Sequence, residues 1–316
     1  MIFWLYAGFI AFVLSALAID LGVFNRKDRD VRTREAFAWC GVWVSLSLLF
    51  AIGVYWMYET KWLGMGTAEH MTGRQAAIQF VTAYLIEYSL SIDNMIVFAI
   101  VFAFFRVPKH YQHRVLVWGI LGALIMRGAM IAAGVTLIKH FEWVSYVFGA
   151  LLLLTAVKMS FSEGEVHPEN NILLRMARRF YPVTSEFHGN RFFTRMNGRG
   201  AATPLFLVLL VIESSDVMFA IDSIPAVIAV TREPFLVFTS NVFAILGLRA
   251  LYFALAGMTD RFRYLKPCLI VLLGFVGAKM IAEPFFHVST PVSFGIIVAI
   301  VGIGIGASMI PRKEAV

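Results

Sequence analysis

Charge is scarce in this chain. Only 15% of its 316 residues are charged and 59% are hydrophobic, where a soluble domain carries roughly 25% charged and 45–50% apolar residues. That imbalance excludes an ordinary water-soluble fold and makes lipid the expected solvent. Cysteine is almost missing as well. Cys40 and Cys268 are the only two. They stand far apart, at the edges of apolar runs and without CxxC spacing, which argues against a thiol redox pair or a cysteine-built metal centre. Histidine is absent from the middle of every apolar run. His70, His110, His113, His140, His167, His188 and His287 all sit in or beside loops, so a Zn²⁺ or Cu⁺ site of imidazole and thiolate is disfavoured. No HExxH, GxSxG or paired catalytic aspartate motif is present, and an intramembrane hydrolase has no residues to rest on. No polar stretch is long enough to form a second domain. The longest runs from Phe161 to Gly200.

Long apolar runs take the place of these missing features. A helix needs about 20 apolar residues to cross about 30 Å of hydrocarbon. Nine such segments lie near residues 3–24, 36–58, 76–105, 114–138, 142–160, 203–230, 235–257, 266–285 and 289–310. The first, MIFWLYAGFIAFVLSALAID, lacks the basic start and cleavage pattern of a signal peptide and reads as a span. The expected fold is therefore all-α, a polytopic transmembrane bundle of about nine spans in a single domain, 1–316.

The connections alternate in charge. Arg26, Lys27, Arg29, Arg32 and Arg34 fill the first, and Arg106, Lys109 and Arg114 the third. Arg175, Arg178, Arg179, Arg191, Arg195 and Arg199 fill the fifth, Arg261, Arg263 and Lys266 the seventh, and Arg312 and Lys313 the tail. The intervening loops hold few or none. Basic residues gather on cytoplasmic loops, so the N-terminus is expected outside and the C-terminus inside. The net charge of +7 is then a property of the cytoplasmic face rather than a sign of a nucleic-acid partner.

The sequence also repeats. EYSLSIDNMIVF (Glu87 to Phe98) resembles DVMFAIDSIPAV (Asp216 to Val227) at an offset of 129. ILGALIMR, ending at Arg127, resembles ILGLR, ending at Arg249, and LLLLTAVKM with Lys158 resembles LLGFVGAKM with Lys279. The units are expected over 76–160 and 203–285, with the loop 161–200 between them. Each spans three crossings, and the two begin on opposite sides of the membrane, so the repeat is inverted. Inverted repeats with polar sites at their interface are a transporter signature.

Ionisable groups inside spans are costly and usually functional. The third span carries Glu87, Asp93 and Asn94; the sixth carries Glu213, Ser214, Ser215, Asp216, Asp222 and Ser223. Asp20 ends the first span in a similar Ile-Asp pair, either as a site residue or as an interfacial one beside the basic loop. These are hard oxygen donors, suited to Mn²⁺, Ca²⁺ or Mg²⁺. Met95 and Met218 stand close to the acids, as soft ligands or as packing. Arg127 and Arg249 need partners in a low-dielectric bundle; they are read as counter-charges or gates, with a structural ion pair as the alternative. Lys158 and Lys279 are expected to snorkel.

Helical geometry sets a limit on this set. Residues 87 and 93, like 216 and 222, are six apart, and at about 100° per residue that is about 120° round a helix. Two carboxylates of one unit do not converge unless the helix breaks. Pro225 is a candidate break, since it cannot bond the Ile221 carbonyl. The expectation is one shared cage where the repeats meet. Protons should compete for such clustered carboxylates when no metal is bound, which suggests cation/proton exchange. In the long loop, NILLRMARRFYPVT places Leu173, Leu174, Ala177 and Phe180 on one helical face and Arg175, Arg178 and Arg179 on the other, an interfacial helix against anionic lipid.

LAIDLGVFNR (17–26), LSIDNMIVF (90–98), ESSDVMFAIDSIPAV (213–227) and NVFAILGLRALYF (241–253) resemble the TerC family of integral membrane proteins, and within it the Alx-like branch. The resemblance implies Mn²⁺ efflux across a bacterial inner membrane, within the LysE-like superfamily of exporters. Mn²⁺ would be the transported substrate, with no prosthetic group. By motif, the family's intramembrane acids fall on Glu87, Asp93, Asn94, Glu213, Asp216, Asp222 and Ser223. An older association with tellurite resistance fits the residues poorly, because carboxylates repel an anion. A non-transporting scaffold or modulator in metal, tellurite or redox stress is the competing class.

Overall fold

The computed structural model describes residues 2–24, 33–66, 71–161, 171–184, 186–196, 199–255, 264–286 and 288–309. The chain is a helical bundle: α1 (Ile2–Phe24), α2 (Thr33–Glu59), α3 (Gly73–Phe104), α4 (Lys109–His140), α5 (Trp143–Phe161), α6 (Ile172–Phe180), α7 (Pro204–Ile228), α8 (Pro234–Leu255), α9 (Leu265–Ala282) and α10 (Thr290–Met309). One antiparallel hairpin, β1 (Phe193–Met196) and β2 (Arg199–Ala202), precedes α7. Helices are the expected solution in lipid, where every backbone donor must be satisfied within its own segment.

Among the described residues seven helices are long and apolar enough to cross a membrane: α2, α3, α4, α5, α7, α8 and α10. The other two expected crossings correspond to α1, apolar over Phe3–Ile19, and α9, 18 residues long. Large apolar side chains point outward all round the bundle, among them Ile125, Leu154 and Ile303, as a lipid-facing surface requires. Basic loop residues Arg26, Lys27, Arg29, Arg32, Arg261, Arg263, Arg312 and Lys313 lie outside the described residues.

The central helix is α8, with 94% of its apolar window buried. It packs against α2, α3 and α4 and, at the edge, α1. Aromatic rings fasten α1 and α2 there: Phe9 lies 5.8 Å from Phe243 and 5.4 Å from Phe50, and Phe50 lies 4.8 Å from Phe243. At the start of α3, Thr72 and Gln75 form a capping box, and the Gly73 N–H donates to Glu59 Oε2 at 2.9 Å. A Cβ at Gly73 would run into the Tyr55 carbonyl, so glycine lets α3 start against the end of α2.

Contacts of α3, α4 and α5 with α7, α8 and α9 are paired. α3 packs on α8 and α4 on α7; α5 packs on α7 and α3 on α9; α3 meets α7, α4 meets α8 and α5 meets α9. Exchanging α3 with α7, α4 with α8 and α5 with α9 leaves this set of helix pairs unchanged. α5 and α9 approach closely through Gly149 and Gly277, where a Cβ on either would come within 3.0 Å of the other's carbonyl oxygen. Small residues let helices in lipid approach this closely.

Two expectations change here. α7 is not broken: it runs through Pro225 to Ile228 without interruption. Pro225 sits in the last turn, where its missing N–H costs one bond and the chain has only three more helical residues to build. Nor does the long loop simply rest an amphipathic helix on the lipid. Asn171 caps α6 by accepting from the Leu173 and Leu174 N–H groups, and its Nδ2 donates to Ser214 Oγ at 2.6 Å. α6 packs on α7 with Leu174 buried, while Leu173 is 43% exposed. Arg175 and Arg179 are exposed, and the Phe180 and Arg178 side chains lie outside the described residues.

Candidate functional site

The two acidic motifs meet where α3 packs against α7. Leu90 and Phe219 are equivalent positions, 129 apart, and both line a cavity beside this crossing. In each motif one acid stands three residues before this position and one three residues after: Glu87 and Asp93 about Leu90, Asp216 and Asp222 about Phe219. With unbroken helices, the rotation of about 120° between the members of each motif sends them to different flanks. The acids therefore sort by flank, one from each motif on each side.

On the first flank lies Arg127 of α4, 1% exposed. Its Nε and Nη2 donate to both oxygens of Asp216 at 3.2 and 2.9 Å, the bidentate geometry that suits guanidinium and carboxylate. Nη1 donates to Asn241 Oδ1 at 3.3 Å and to Ser223 Oγ at 3.4 Å. Glu87, fully buried, forms an ion pair with the same guanidinium. The cluster joins four helices, α3, α4, α7 and α8. It is the structural pairing that a buried arginine demands, since an uncompensated charge there costs several kcal/mol.

On the second flank Asp93 and Asp222 line one cavity with Asn94, Ser223, Thr155 and Met159. Thr155 of α5 donates to Asp222 Oδ1 at 2.8 Å. The cavity is about 40 Å³, where a single water needs at least about 10–15 Å³. It can accept a partly dehydrated ion or a few waters. α5 and α9 close its outer wall through Thr155, Met159, Leu269 and Leu273. Every polar group here except the two carboxylates is a neutral oxygen or amide donor, the set that hard divalent cations prefer.

The single cage expected from sequence thus divides in two. Among the described residues no three His, Cys, Asp or Glu side chains gather where they could hold one ion. Glu213 lines neither cavity. It lies against α4 at Gly122, where a Cβ would overlap its carboxylate. The Arg249 Nη1 lies 2.6 Å from His113 Nε2, a contact that makes Nε2 the acceptor of a neutral imidazole. Nearby, Tyr252 donates to Gln112 Oε1 at 2.9 Å. Arg249 and Asp216 line a second cavity with Phe98, Leu116 and Leu248.

The methionines near the acids are packing or lipid-facing. Met95 is buried in the core and Met218 is 63% exposed, because an aspartate and the methionine two residues from it point about 200° apart on a helix. Lys279 donates to the Ala229 carbonyl at 3.3 Å and so satisfies the C-terminal end of α7, whereas Lys158 is exposed. Asp20 lies in α1, but its side chain is outside the described residues. Sequence reasoning passed over Asn241 and Thr155. Both had a signal: Thr155 is the polar residue inside the apolar LLLLTAV, and Asn241 ends the polar run Thr239, Ser240, Asn241 within the apolar helix α8.

A polytopic helical membrane protein with charged side chains paired in its interior is the class this structure defines. A sequence model of the integral membrane protein TerC family matches residues 72–315, and the chain belongs to that family. It is 49% identical over 98% of its length, and 93% of the relative's, to an uncharacterized membrane protein of Myxococcus xanthus. It is 46% identical to the putative membrane-bound redox modulator Alx of Escherichia coli K12, covering 94% of this chain and 91% of that one. It is 40% identical to the chloroplastic thylakoid membrane protein TERC of Arabidopsis thaliana, over 95% of this chain and 75% of that one. No solved structure matches the chain.

Proposed function

We propose that this protein exports divalent cations, Mn²⁺ foremost, from the cytoplasm through the Asp93–Asp222 cavity in exchange for protons. The observation that carries the reading is the meeting of one carboxylate from each motif at a single cavity beside the α3/α7 crossing. Two carboxylates match the charge of one divalent ion. Asn94, Ser223 and Thr155 supply neutral oxygens, which Mg²⁺, Ca²⁺ and Mn²⁺ all accept. When the ion leaves, protons take its place on the carboxylates, because two bare charges this close in a low-dielectric bundle are costly. Two units related by an inverting axis would expose such a central site to each side in turn. In this reading the chain makes nine crossings of a bacterial inner membrane, with the N-terminus outside and the C-terminus in the cytoplasm, set by its basic loops.

The redox reading suggested by the Escherichia coli relative's name has little to stand on in this chain. Cys40 and Cys268 are free thiols buried on different helices, α2 and α9, and the Cys268 thiol donates to the Ile300 carbonyl. A redox phenotype would arise indirectly, through metal homeostasis.

The test is transport by the purified chain in proteoliposomes, run with a panel of Mn²⁺, Ca²⁺, Mg²⁺ and Zn²⁺ and a pH dye inside. Mn²⁺ flux with counter-movement of protons is expected, lost in Asp93→Asn and Asp222→Asn. Normal flux in both variants would sink the site; metal flux with no change of internal pH would sink the exchange.

A further inference from the structure

We propose that Arg127 is a tethered substitute cation: its guanidinium fills a divalent-ion position between two cavities, and an ion passes only when the guanidinium withdraws. The proposal rests on the export reading above and adds the element that keeps the path shut.

The shell around Arg127 is an ion shell by composition. Its atoms are the two oxygens of Asp216, Asn241 Oδ1, Ser223 Oγ and the Glu87 carboxylate. All are hard oxygens that would serve a divalent cation equally well. The charges do not balance with arginine in place. Two carboxylates face one guanidinium, leaving either an extra negative charge or a proton to hold, whereas a divalent ion would neutralise both. Glu87 carries an independent sign of incompleteness. It is 0% exposed, and apart from its ion pair with Arg127 neither of its oxygens has a hydrogen-bond partner. A fully buried carboxylate with unused acceptor capacity is costly, and here that capacity is aimed at the guanidinium position.

The position also lies between the two cavities. Ser223 touches Arg127 and lines the Asp93–Asp222 cavity. Asp216 grips Arg127 and lines the cavity that holds Arg249. The order from one cavity to the other is therefore Ser223, Arg127, Asp216. Because Asp93 and Glu87 share α3, and Asp222 and Asp216 share α7, loading of the first cavity and the grip on Arg127 act on the same two helices. A structural ion pair would explain the bidentate contact with Asp216. It does not explain a surplus acid, a hydroxyl and an amide oxygen converging on one cation between two cavities.

The experiment counts bound Mn²⁺ on the detergent-purified full chain by equilibrium dialysis. The wild type is expected to bind one Mn²⁺, lost in Asp93→Asn/Asp222→Asn. Arg127→Gln is expected to bind one more than the wild type, and adding Asp216→Asn to Arg127→Gln should remove the extra ion while sparing the first. In proteoliposomes Arg127→Gln should leak, carrying Mn²⁺ down its gradient without proton exchange. A folded Arg127→Gln chain, monodisperse by gel filtration, that binds no more Mn²⁺ than the wild type overturns the proposal. Should that variant fail to fold, Arg127→Gln/Glu87→Gln keeps Asp216, Ser223 and Asn241 with less stranded charge. It is expected to bind an extra ion at least tenfold more weakly than the first, and an unchanged count again overturns the proposal. Absence of the first ion, with the extra one still appearing in Arg127→Gln, would instead strike at the Asp93–Asp222 reading and leave the role of Arg127 standing.

Discussion

The two flanks of the α3/α7 crossing are built from the same motif pair yet differ in one respect, the helix that faces them. Towards α4 the first acid of each motif, Glu87 and Asp216, meets a guanidinium and is closed off from solvent. Towards α5 the second acid of each, Asp93 and Asp222, meets a threonine hydroxyl and a small cavity. A guanidinium in direct contact completes one flank; the other has a hydroxyl in contact and room. The difference teaches that intramembrane acids cannot be assigned a role by residue type alone. What decides it is whether the neighbouring helix brings its own charge.

That contrast can be broken by substitution, beginning with the closed flank. Asp216→Leu removes the bidentate partner of Arg127 and leaves its Nε and Nη2 donors buried without their acceptors, although Glu87 still pairs with the guanidinium; each such donor costs about 1–3 kcal/mol. Thermal denaturation in detergent should show a larger loss of melting temperature for this variant than for any other single substitution at the two flanks. A loss no greater than that of a surface substitution would mean that Arg127 finds another partner and the flank is not closed.

On the open flank the expected damage is functional instead. Asp93→Asn and Asp222→Asn should each reduce Mn²⁺ flux by tenfold or more, at least about 1.4 kcal/mol, with a smaller loss of melting temperature than at the closed flank, because neither acid is gripped by a buried guanidinium as Asp216 is. If these two unfold the protein while Asp216→Leu does not, the assignment of the flanks is reversed.

Smaller changes sharpen the comparison. Gly122→Ala drives a methyl into the Glu213 carboxylate and should cost about 1–3 kcal/mol as overpacking. Glu213→Ala should relieve that cost in the double variant, which a melting series would show as non-additivity. Thr155→Val removes one hydrogen bond to Asp222, worth about 1 kcal/mol, so Mn²⁺ binding should weaken several-fold with little effect on fold. The smallest effect is expected for Asn171→Ala, which loses the α6 cap and the bond to Ser214. Caps are worth about 1 kcal/mol, and the change should appear as faster hydrogen exchange confined to α6.

Much of this was legible in the sequence. Length and apolarity of the runs fixed the helices, because lipid leaves the backbone no alternative. Pairs of acids at equal spacing in two segments marked the crossing of α3 and α7, where the structure brings them together. Other readings failed for physical reasons. Pro225 does not break α7, since a proline in a last turn forfeits almost nothing. For the methionines beside the acids the packing alternative holds and the ligand one does not, because adjacency along a helix is not adjacency in space. Arg249, the sequence counterpart of Arg127, has His113 beside it, a neighbour on α4 that its spacing in the sequence does not announce.

By itself, then, the sequence determined a membrane-spanning helical protein with paired acids in two similar segments and a six-residue spacing that forbids the acids of one motif from meeting on a straight helix. Only the tertiary structure decided which acids do meet. Pairing across the units depends on how α3 and α7 cross and on which helix covers each flank. Those are properties of packing between segments more than a hundred residues apart, and no local pattern encodes them.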